Sequence, residues 1–209
     1  ESPDGVRPFA EGVRIDWSKL TVEVDAEVVL REGPLELFAC SPRTKEHESV
    51  LVVFARPTQI FQAIGLIGLV PGSPTRYVEK EDRWEPARGD PLDLRARWTD
   101  GDTLRFARPE EWMLQSNRDK TSSPPALQWV FAGSLTAKDG RFAADLEGTV
   151  ASVVDFESSL IALSTTHSPD NEHLWLVANP ERIPPRGTKC QLLIRAATRP
   201  GLRITLASD

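Results

Sequence analysis

The most apolar part of the chain predicts one buried strand followed by one buried helix. Val50–Ala55 is an uninterrupted apolar run rich in β-branched residues, which is typical of a strand buried on both faces. From residue 57 to 69 apolar residues recur at helical spacing on nearly every side, which indicates a helix inside the domain. About a dozen apolar positions are too few to span a membrane, which needs roughly 20. We therefore predict no transmembrane segment.

Particular residues predict where this helix begins and ends. Pro57 suits the first helical position and Thr58 is a candidate cap. Pro71-Gly72 stops the helix. Gly65 and Gly68 lie within it, where each glycine costs about 1 kcal/mol relative to alanine. We expect the two glycines to allow close packing of the helix backbone against the strand.

Shorter stretches of alternating apolar and polar residues predict strands in most of the remaining chain. Leu20–Val28 alternates, which indicates a strand with one wet face, and Leu92–Trp98 with Thr103–Ala107 predicts a hairpin. Further strands are predicted at 13–15, 35–39, 128–135, 141–146, 148–156, 174–178, 189–196 and 202–206, and short helices at 109–114 and 157–163. A loop is expected at 115–125.

Together these elements predict an α+β fold that is mostly β. We expect a largely antiparallel sheet or an elaborated β-sandwich, with one buried helix at about 57–69 and one or two short helices. A chain of 209 residues can bury a substantial core as one domain. We expect a single domain over residues 1–209, with a Pro/Gly-rich excursion at about 71–91.

The net charge of the chain indicates which partners to expect, and its first residue bears on the cellular location. The chain has 25 Lys and Arg against 31 Asp and Glu, a net charge of −6, and no basic run. Nucleic acid is therefore not an expected partner. The chain opens at Glu1 without an initiator Met, so we expect a processed or truncated chain. A removed signal segment would make the protein an exported one: periplasmic, lipid-anchored or secreted.

The two cysteines, Cys40 and Cys190, leave two interpretations open. A disulfide between them would close a loop of about 150 residues and contribute on the order of 5 kcal/mol in the chain-entropy model. Alternatively, they are two separate buried thiols. Two cysteines cannot hold a four-iron cluster, so we predict no iron–sulfur cluster. Thiol catalysis is disfavoured because Cys40 precedes Ser41-Pro42 rather than a helix.

The densest polar segment of the chain, Thr166–His173, contains two histidines. His167 and His173, with Asp170 or Glu172 between them, offer imidazole and carboxylate ligands for zinc, and the carboxylates alone could serve calcium. The spacing matches no established metal motif, and the simpler interpretation is a solvated loop with incidental histidines. We predict no cofactor, while zinc or calcium stays open.

His47 and Glu48 form a second polar candidate at the entrance to the buried strand. Neighbours on a strand point to opposite faces, so the two side chains would serve one site only across a bulge. The simpler interpretation is that His47 hydrogen-bonds a turn or pairs with an acid. A joint metal site of His47 with His167 requires the two segments to meet in space.

The tryptophans are the remaining candidates, since no nucleophile elbow, phosphate loop or dinucleotide motif occurs. Three of the six lie in predicted turns, loops or a short helix, where an aromatic face could contact a sugar or a partner: Trp17, Trp84 and Trp112. The other three fall in predicted strands and are expected in the core: Trp98, Trp129 and Trp175.

Six segments of the chain carry a family resemblance: Lys45–Leu51, Pro57–Leu69 with Pro71-Gly72, Trp129–Ser134, Asp145–Phe156, Asn171–Asn179 and Pro184–Thr188. In these segments the chain resembles the YdjY-like domain family of bacterial proteins. The resemblance implies an exported protein from a family of unassigned function, and it brings no catalytic residues. Some relatives are labelled ferredoxin-like and carry a cysteine cluster, which this chain lacks.

These observations favour a non-enzymatic exported domain. We expect it to bind or organise a ligand or partner, a protein or a glycan, at the bacterial cell envelope. The alternative is a metal-binding protein or a metal-dependent enzyme that uses His167 and His173.

Overall fold

Strands dominate the computed structural model, which describes residues 5–117, 120–122, 125–170 and 174–197. Short 3-10 helices occur at Glu46–Glu48, Glu79–Glu81 and Pro109–Trp112. The α-helices are α1 (Pro57–Leu66) and α2 (Ala143–Glu147). The strands are β1 (Val6–Ala10), β2 (Val13–Asp16), β3 (Thr21–Val28), β4 (Leu37–Cys40), β5 (Ser49–Val53), β6 (Pro71–Ser73), β7 (Arg76–Val78), β8 (Arg83–Glu85), β9 (Arg88–Gly89), β10 (Pro91–Asp100), β11 (Thr103–Ala107), β12 (Met113–Asn117), β13 (Lys120–Ser122), β14 (Trp129–Val130), β15 (Thr149–Ser152), β16 (Ala162–Leu163), β17 (Leu176–Ala178) and β18 (Lys189–Ala196).

Eleven of these strands form one curved sheet. Its main path runs β15-β4-β5-β3-β18-β10-β14-β16, and β1, β2 and β11 pair alongside it. The strands pair antiparallel except β4 with β5, which are parallel. The two ends of the path meet, because the Ile161 N–H donates to Val150 O at 2.9 Å and the Ser152 N–H donates to Ile161 O at 3.0 Å. The predicted mostly-β α+β class is confirmed, in the form of one nearly closed sheet rather than a sandwich.

The long strands β3, β18 and β10 form the middle of the sheet. Their alternating sequences bury one face, where Val24 pairs with Leu192 and Val22 pairs with Ile194. The opposite face carries charged side chains, which explains the polar half of the alternation. The predicted bounds of β18 and β11 match the structure, and β3 and β10 differ from their predictions by a few residues.

The predicted buried strand is confirmed, since all five residues of β5 are buried. The helix that follows ends earlier than predicted and is buried on one face only: Leu66 is 52% exposed. Gly68 has φ +89° and terminates the helix in the left-handed region. The expected close packing at the glycines was wrong, because a Cβ added to Gly65 or Gly68 would meet nothing within 4 Å.

The N-terminus of α1 is held from α2. Asp145 accepts the Thr58 backbone N–H at 2.8 Å and also the Thr58 hydroxyl. The Gln59 side chain accepts the Arg56 N–H at 3.2 Å. Thr58 was predicted as the cap, but the carboxylate that satisfies this helix end comes from a distant part of the chain.

None of the helices within the described ranges is both long and apolar enough to cross a membrane.

Four aromatic rings pack against one another at tilted angles. Trp112 lies 6.1 Å from Phe38 and 5.3 Å from Trp98 between ring centroids, and Phe38 lies 6.4 Å from Trp129. Trp112 is only 1% exposed. Its predicted role as a surface aromatic was wrong, because the 3-10 helix at Pro109–Trp112 turns the indole inward.

The predicted excursion at 71–91 contains ordered structure. Strands β7 and β8 form a hairpin, in which the Tyr77 and Trp84 rings lie 5.5 Å apart. Strands β6 and β9 pair close to the nearly closed sheet of eleven strands, which we call the barrel. There the Gly72 N–H donates to Phe131 O at 2.9 Å. A Cβ on Gly89 would lie 2.0 Å from Phe131 O, so only glycine permits this approach.

Several short elements differ from their predictions. Residues 141–146 were predicted as a strand but contain most of α2, and 157–163 was predicted as a helix but ends in β16. Strand β13 and the last three residues of β12 lie in the predicted loop at 115–125, and the strand predicted at 128–135 shrinks to β14. Short apolar runs do not distinguish helix from strand by periodicity, which explains these errors. The strand predicted at 202–206 lies outside the described residues.

Candidate functional site

The structure places His167 against an aromatic ring and a buried carboxyl group. The imidazole stacks on Trp175, with 3.7 Å between centroids and 9° between planes. Its Nε2 lies 3.0 Å from the Thr165 hydroxyl. The His167 backbone N–H donates to Asp155 Oδ2 at 2.7 Å, and the Asp155 N–H donates to His167 O at 2.8 Å. These contacts fasten the loop to the end of the barrel.

Burial changes the acidity of both groups in this loop. It raises the pKa of Asp155 to about 6, against the opposing hydrogen bond from the His167 N–H. It also lowers the pKa of His167. The imidazole is therefore neutral at pH 7, which is the state that both ring stacking and metal ligation use.

Only two of the four predicted metal ligands, His167 and Asp170, lie within the described chain. Asp170 donates its N–H to the Ser168 hydroxyl at 3.2 Å and lies at the surface. Glu172 and His173 lie outside the described residues. Across the ranges that the structure covers, no group of three His, Cys, Asp or Glu side chains is arranged to hold a metal ion.

His47 and Glu48 lie on a 3-10 turn rather than on a strand. The prediction that they point to opposite faces was therefore wrong. His47 Nε2 lies 3.5 Å from Glu48 Oε2, and the His47 side chain is 72% exposed. The simpler sequence interpretation, in which His47 pairs with an acid, describes this contact.

Sequence reasoning missed Glu36, which belongs to the same cluster. Glu36 is buried and accepts from Lys45 Nζ at 2.8 Å. Burial first, and then the neighbouring Glu36, raise the pKa of Glu48. Lys45 also lies over the Phe156 ring at 4.7 Å. Two carboxyl groups, one ammonium and one imidazole thus nearly balance one another and join the start of β4 to the turn before β5.

The two cysteines are free and buried, so the disulfide between Cys40 and Cys190 is not formed. Cys40 is in register with Val52, whereas Cys190 is in register with Ala26, which pairs with Val53. Adjacent rows of a sheet point to opposite faces, and three strand spacings place the two cysteines about 14 Å apart. Disulfides require Cα atoms within about 7 Å. Burial raises the pKa of the Cys190 thiol to about 12, with help from Glu27 and Asp25.

A cleft lies between the 71–91 segment and the barrel. This cleft, which we call the hairpin cleft, has a volume of about 470 Å³. One wall comes from β6, β7, β8 and β9 and the connections between them, and Leu135 and Glu157 form the other. Pro74, Pro86 and Leu135 supply its apolar surface.

The polar lining of the hairpin cleft carries two positive and two negative side chains. Arg76 Nη2 lies 2.8 Å from Glu85 Oε2, and Glu157 accepts the Tyr77 N–H at 3.3 Å. Arg88 lines the same cleft. Its guanidinium has no hydrogen-bond partner among the residues that the structure describes. The formal charges cancel, so the cleft offers many donors and acceptors without a strong net field.

A buried hydroxyl group lines the hairpin cleft without a partner. Thr75 is only 2% exposed, and its Oγ1 makes no hydrogen bond within the described chain. A buried polar group without a partner costs roughly 1–3 kcal/mol. Sequence reasoning did not find this cleft, because its walls meet only after the 71–91 segment folds back onto the barrel.

Comparison with known proteins supports one family. A family model described as the YdjY domain matches residues 13–195, which is most of the chain. No curated protein and no solved structure matches the chain.

Proposed function

Because the chain belongs to the YdjY domain family, we propose that it is a non-enzymatic exported domain that binds a glycan at the bacterial cell envelope. The hairpin cleft is its binding site. The observation that carries the proposal is a cleft of about 470 Å³ lined by Arg88 and Thr75, whose side-chain donors have no partner among the described residues. This volume falls within the range of small-molecule sites, which is about 300–1,000 Å³.

The lining of the cleft suits a neutral ligand rich in hydroxyl groups. Sugar hydroxyls both donate and accept hydrogen bonds, so they can use the Thr75 hydroxyl, the Arg88 guanidinium and the Glu157 carboxylate together. The balanced charges give no advantage to a strongly charged ligand. The apolar surface of Pro74 and Pro86 can pack against the C–H faces of a sugar ring.

The aromatic pair of the β7–β8 hairpin does not contribute to the cleft. Arg76 pairs with Glu85 and lines the cleft, whereas Tyr77 pairs with Trp84 in the next row. Successive side chains of a strand point to opposite faces, so both rings lie on the far side of the hairpin. Trp84, which sequence reasoning offered as a sugar contact, is therefore outside the proposed site.

Calorimetric titration with soluble, neutral oligosaccharide fragments built from N-acetylglucosamine tests the proposal. We expect saturable binding to the full chain and at least about tenfold weaker binding to Arg88→Gln, because a hydrogen bond to a charged group contributes about 1.5–3 kcal/mol. Arg108→Gln is the matched control, since Arg108 lies outside the hairpin cleft. Equal binding to both variants, or no binding of any fragment, would overturn the proposal.

Thr75→Val supplies a second readout that a purely structural role would not produce. Valine has nearly the same shape but no hydroxyl. We expect the free variant to be as stable as the parent or more stable by about 1 kcal/mol, since an unpaired buried hydroxyl is removed. We expect its binding of oligosaccharide to be weaker. A variant that is destabilised and binds normally would show that the hydroxyl serves the fold instead.

Two further measurements test the other parts of the proposal. Incubation with the same oligosaccharides should release no new reducing ends, and turnover would contradict a non-enzymatic role.

Fractionation of bacteria that express the protein from its own gene should place it in the envelope, the periplasm or the medium. Recovery in the cytosol would contradict export.

A further inference from the structure

A second cleft shares no residue with the hairpin cleft. It lies where β10, the end of β18 and the 3-10 helix at Pro109–Trp112 meet, and its volume is about 240 Å³. We call it the arginine cleft, because three arginines line it: Arg95, Arg108 and Arg195.

Most guanidinium donors in the arginine cleft are unused by the described protein. Asp93 Oδ2 accepts from Arg195 Nε at 2.9 Å and Nη2 at 2.7 Å, and from Arg95 Nε at 3.2 Å. This single carboxylate therefore serves two guanidinium groups. The Arg108 side chain has no hydrogen-bond partner within the part of the chain that the structure describes.

Arg97 on the same strand shows what a fully paired arginine looks like in this protein. Its Nη1 and Nη2 donate to the two oxygens of Glu23 at 3.0 and 2.8 Å, and its Nε donates to Gln191 at 3.3 Å. The sheet thus gives each guanidinium nitrogen of Arg97 a partner, whereas Arg95 and Arg108 keep nitrogens without one among the described residues. Arg95, Arg108 and Arg195, which carry the open donors, all line one small cleft.

Trp129 also lines the arginine cleft, while its indole N–H is buried. Trp129 is 3% exposed, and its indole Nε1–H has no acceptor among the described residues. Arginine and indole groups donate hydrogen bonds and cannot accept them. An acceptor-rich group therefore complements this lining.

We propose that the arginine cleft binds a small ligand through an oxyanion, either a carboxylate or a phosphate group. Arginine presents donors in a planar fork that matches both groups. The cleft volume of about 240 Å³ admits a small acid or a phosphate ester, not a macromolecular surface. This ligand is distinct from the proposed glycan, so either site can exist without the other.

Glu110 sets how tightly an anion binds. It lines the cleft, and burial raises its pKa, with Arg108 opposing this shift and Asp93 and Glu111 adding to it. Its carboxylate repels an incoming anion, whereas the protonated form does not. Glu110→Gln should therefore strengthen anion binding at neutral pH.

Titration of the full chain with inorganic phosphate and with succinate, at low ionic strength in chloride buffer, tests this inference. We expect one-to-one saturable binding, weakened at least about tenfold in Arg95→Gln and Arg108→Gln because charge-assisted hydrogen bonds are lost. Glu110→Gln should bind several-fold more tightly. Arg88→Gln, the hairpin-cleft variant, should bind like the parent.

Each outcome of these titrations either supports or overturns the proposed anion site. Binding of phosphate alone or of succinate alone supports the site and identifies the group that it takes. Absence of saturable binding for both probes would overturn the inference, as would equal affinities across all four variants, which would indicate screening at the general surface. Thermal midpoints matching the parent confirm that each variant is folded, and failure of glycan binding would leave this result unaffected.

Discussion

At the scale of single residues, folding changes the chemistry of a few groups that the sequence presents as ordinary. Asp155 is 4% exposed and becomes a carboxyl group with a pKa of about 6. Cys190 becomes a thiol with a pKa of about 12. Both shifts arise from burial, which disfavours the charged form of each group.

The free thiols lead to a labelling prediction. Alkylation in denaturant without reductant should add two labels to each chain, because Cys40 and Cys190 are unbonded. The native protein should react slowly at neutral pH, since burial raises the pKa of both thiols and the thiolate is the reactive form. Mass spectrometry counts the labels. A chain that takes up none in denaturant would contain the disulfide.

Asp155 should make stability depend on pH. Its folded pKa of about 6 exceeds the ordinary value of 3.8, so the folded state binds the proton more tightly and stability falls as pH rises between these values. Asn at this position cannot ionise but can still accept the His167 N–H. The free energy of unfolding of Asp155→Asn relative to the parent should therefore rise by about 1–2 kcal/mol from about pH 4 to about pH 7.

Urea unfolding across this pH range measures the effect. Asp170→Asn is the control, because Asp170 lies at the surface of the same loop. A stability difference between Asp155→Asn and the parent that stays constant with pH would show that Asp155 keeps an ordinary acidity.

At the scale of elements, long alternating strands were predictable and short elements were not. β3, β10 and β18 alternate over many residues, so their faces follow from the pattern alone. α2 and β16 are too short for any period to emerge, and their conformations depend on neighbours. The cap of α1 shows the same limit, because Asp145 lies far from Thr58 in sequence.

The two glycines of the α1 region should respond to alanine in opposite directions. Gly65→Ala should raise the free energy of unfolding by about 0.5–1 kcal/mol, because a helical position with open space favours alanine. Gly68→Ala should lower it by about 1 kcal/mol, because φ is +89° there. Thermal or urea unfolding of the two variants provides the comparison. Destabilisation by both substitutions would instead support the close packing expected from the sequence.

At the scale of the whole molecule, the sequence predicts a mostly-β fold but not the closure of its sheet. Closure depends on hydrogen bonds between 149–152 and 160–161, and the second of these segments was predicted to be helical. The candidate sites show the same division. His47 and His167 were recognisable as polar residues, while Glu36, Asp155 and the hairpin cleft depend on contacts between segments distant in sequence.

The central claim is that the hairpin cleft is a ligand site, and chemical-shift mapping by NMR tests it most directly. Titration of isotope-labelled protein with neutral N-acetylglucosamine oligosaccharides should shift amide signals at 73–76, 85–88, Leu135 and Glu157, the residues around the cleft. Signals on the charged face of β10 and β18 should stay in place. Absence of shifts, or shifts confined to another surface, would contradict the account.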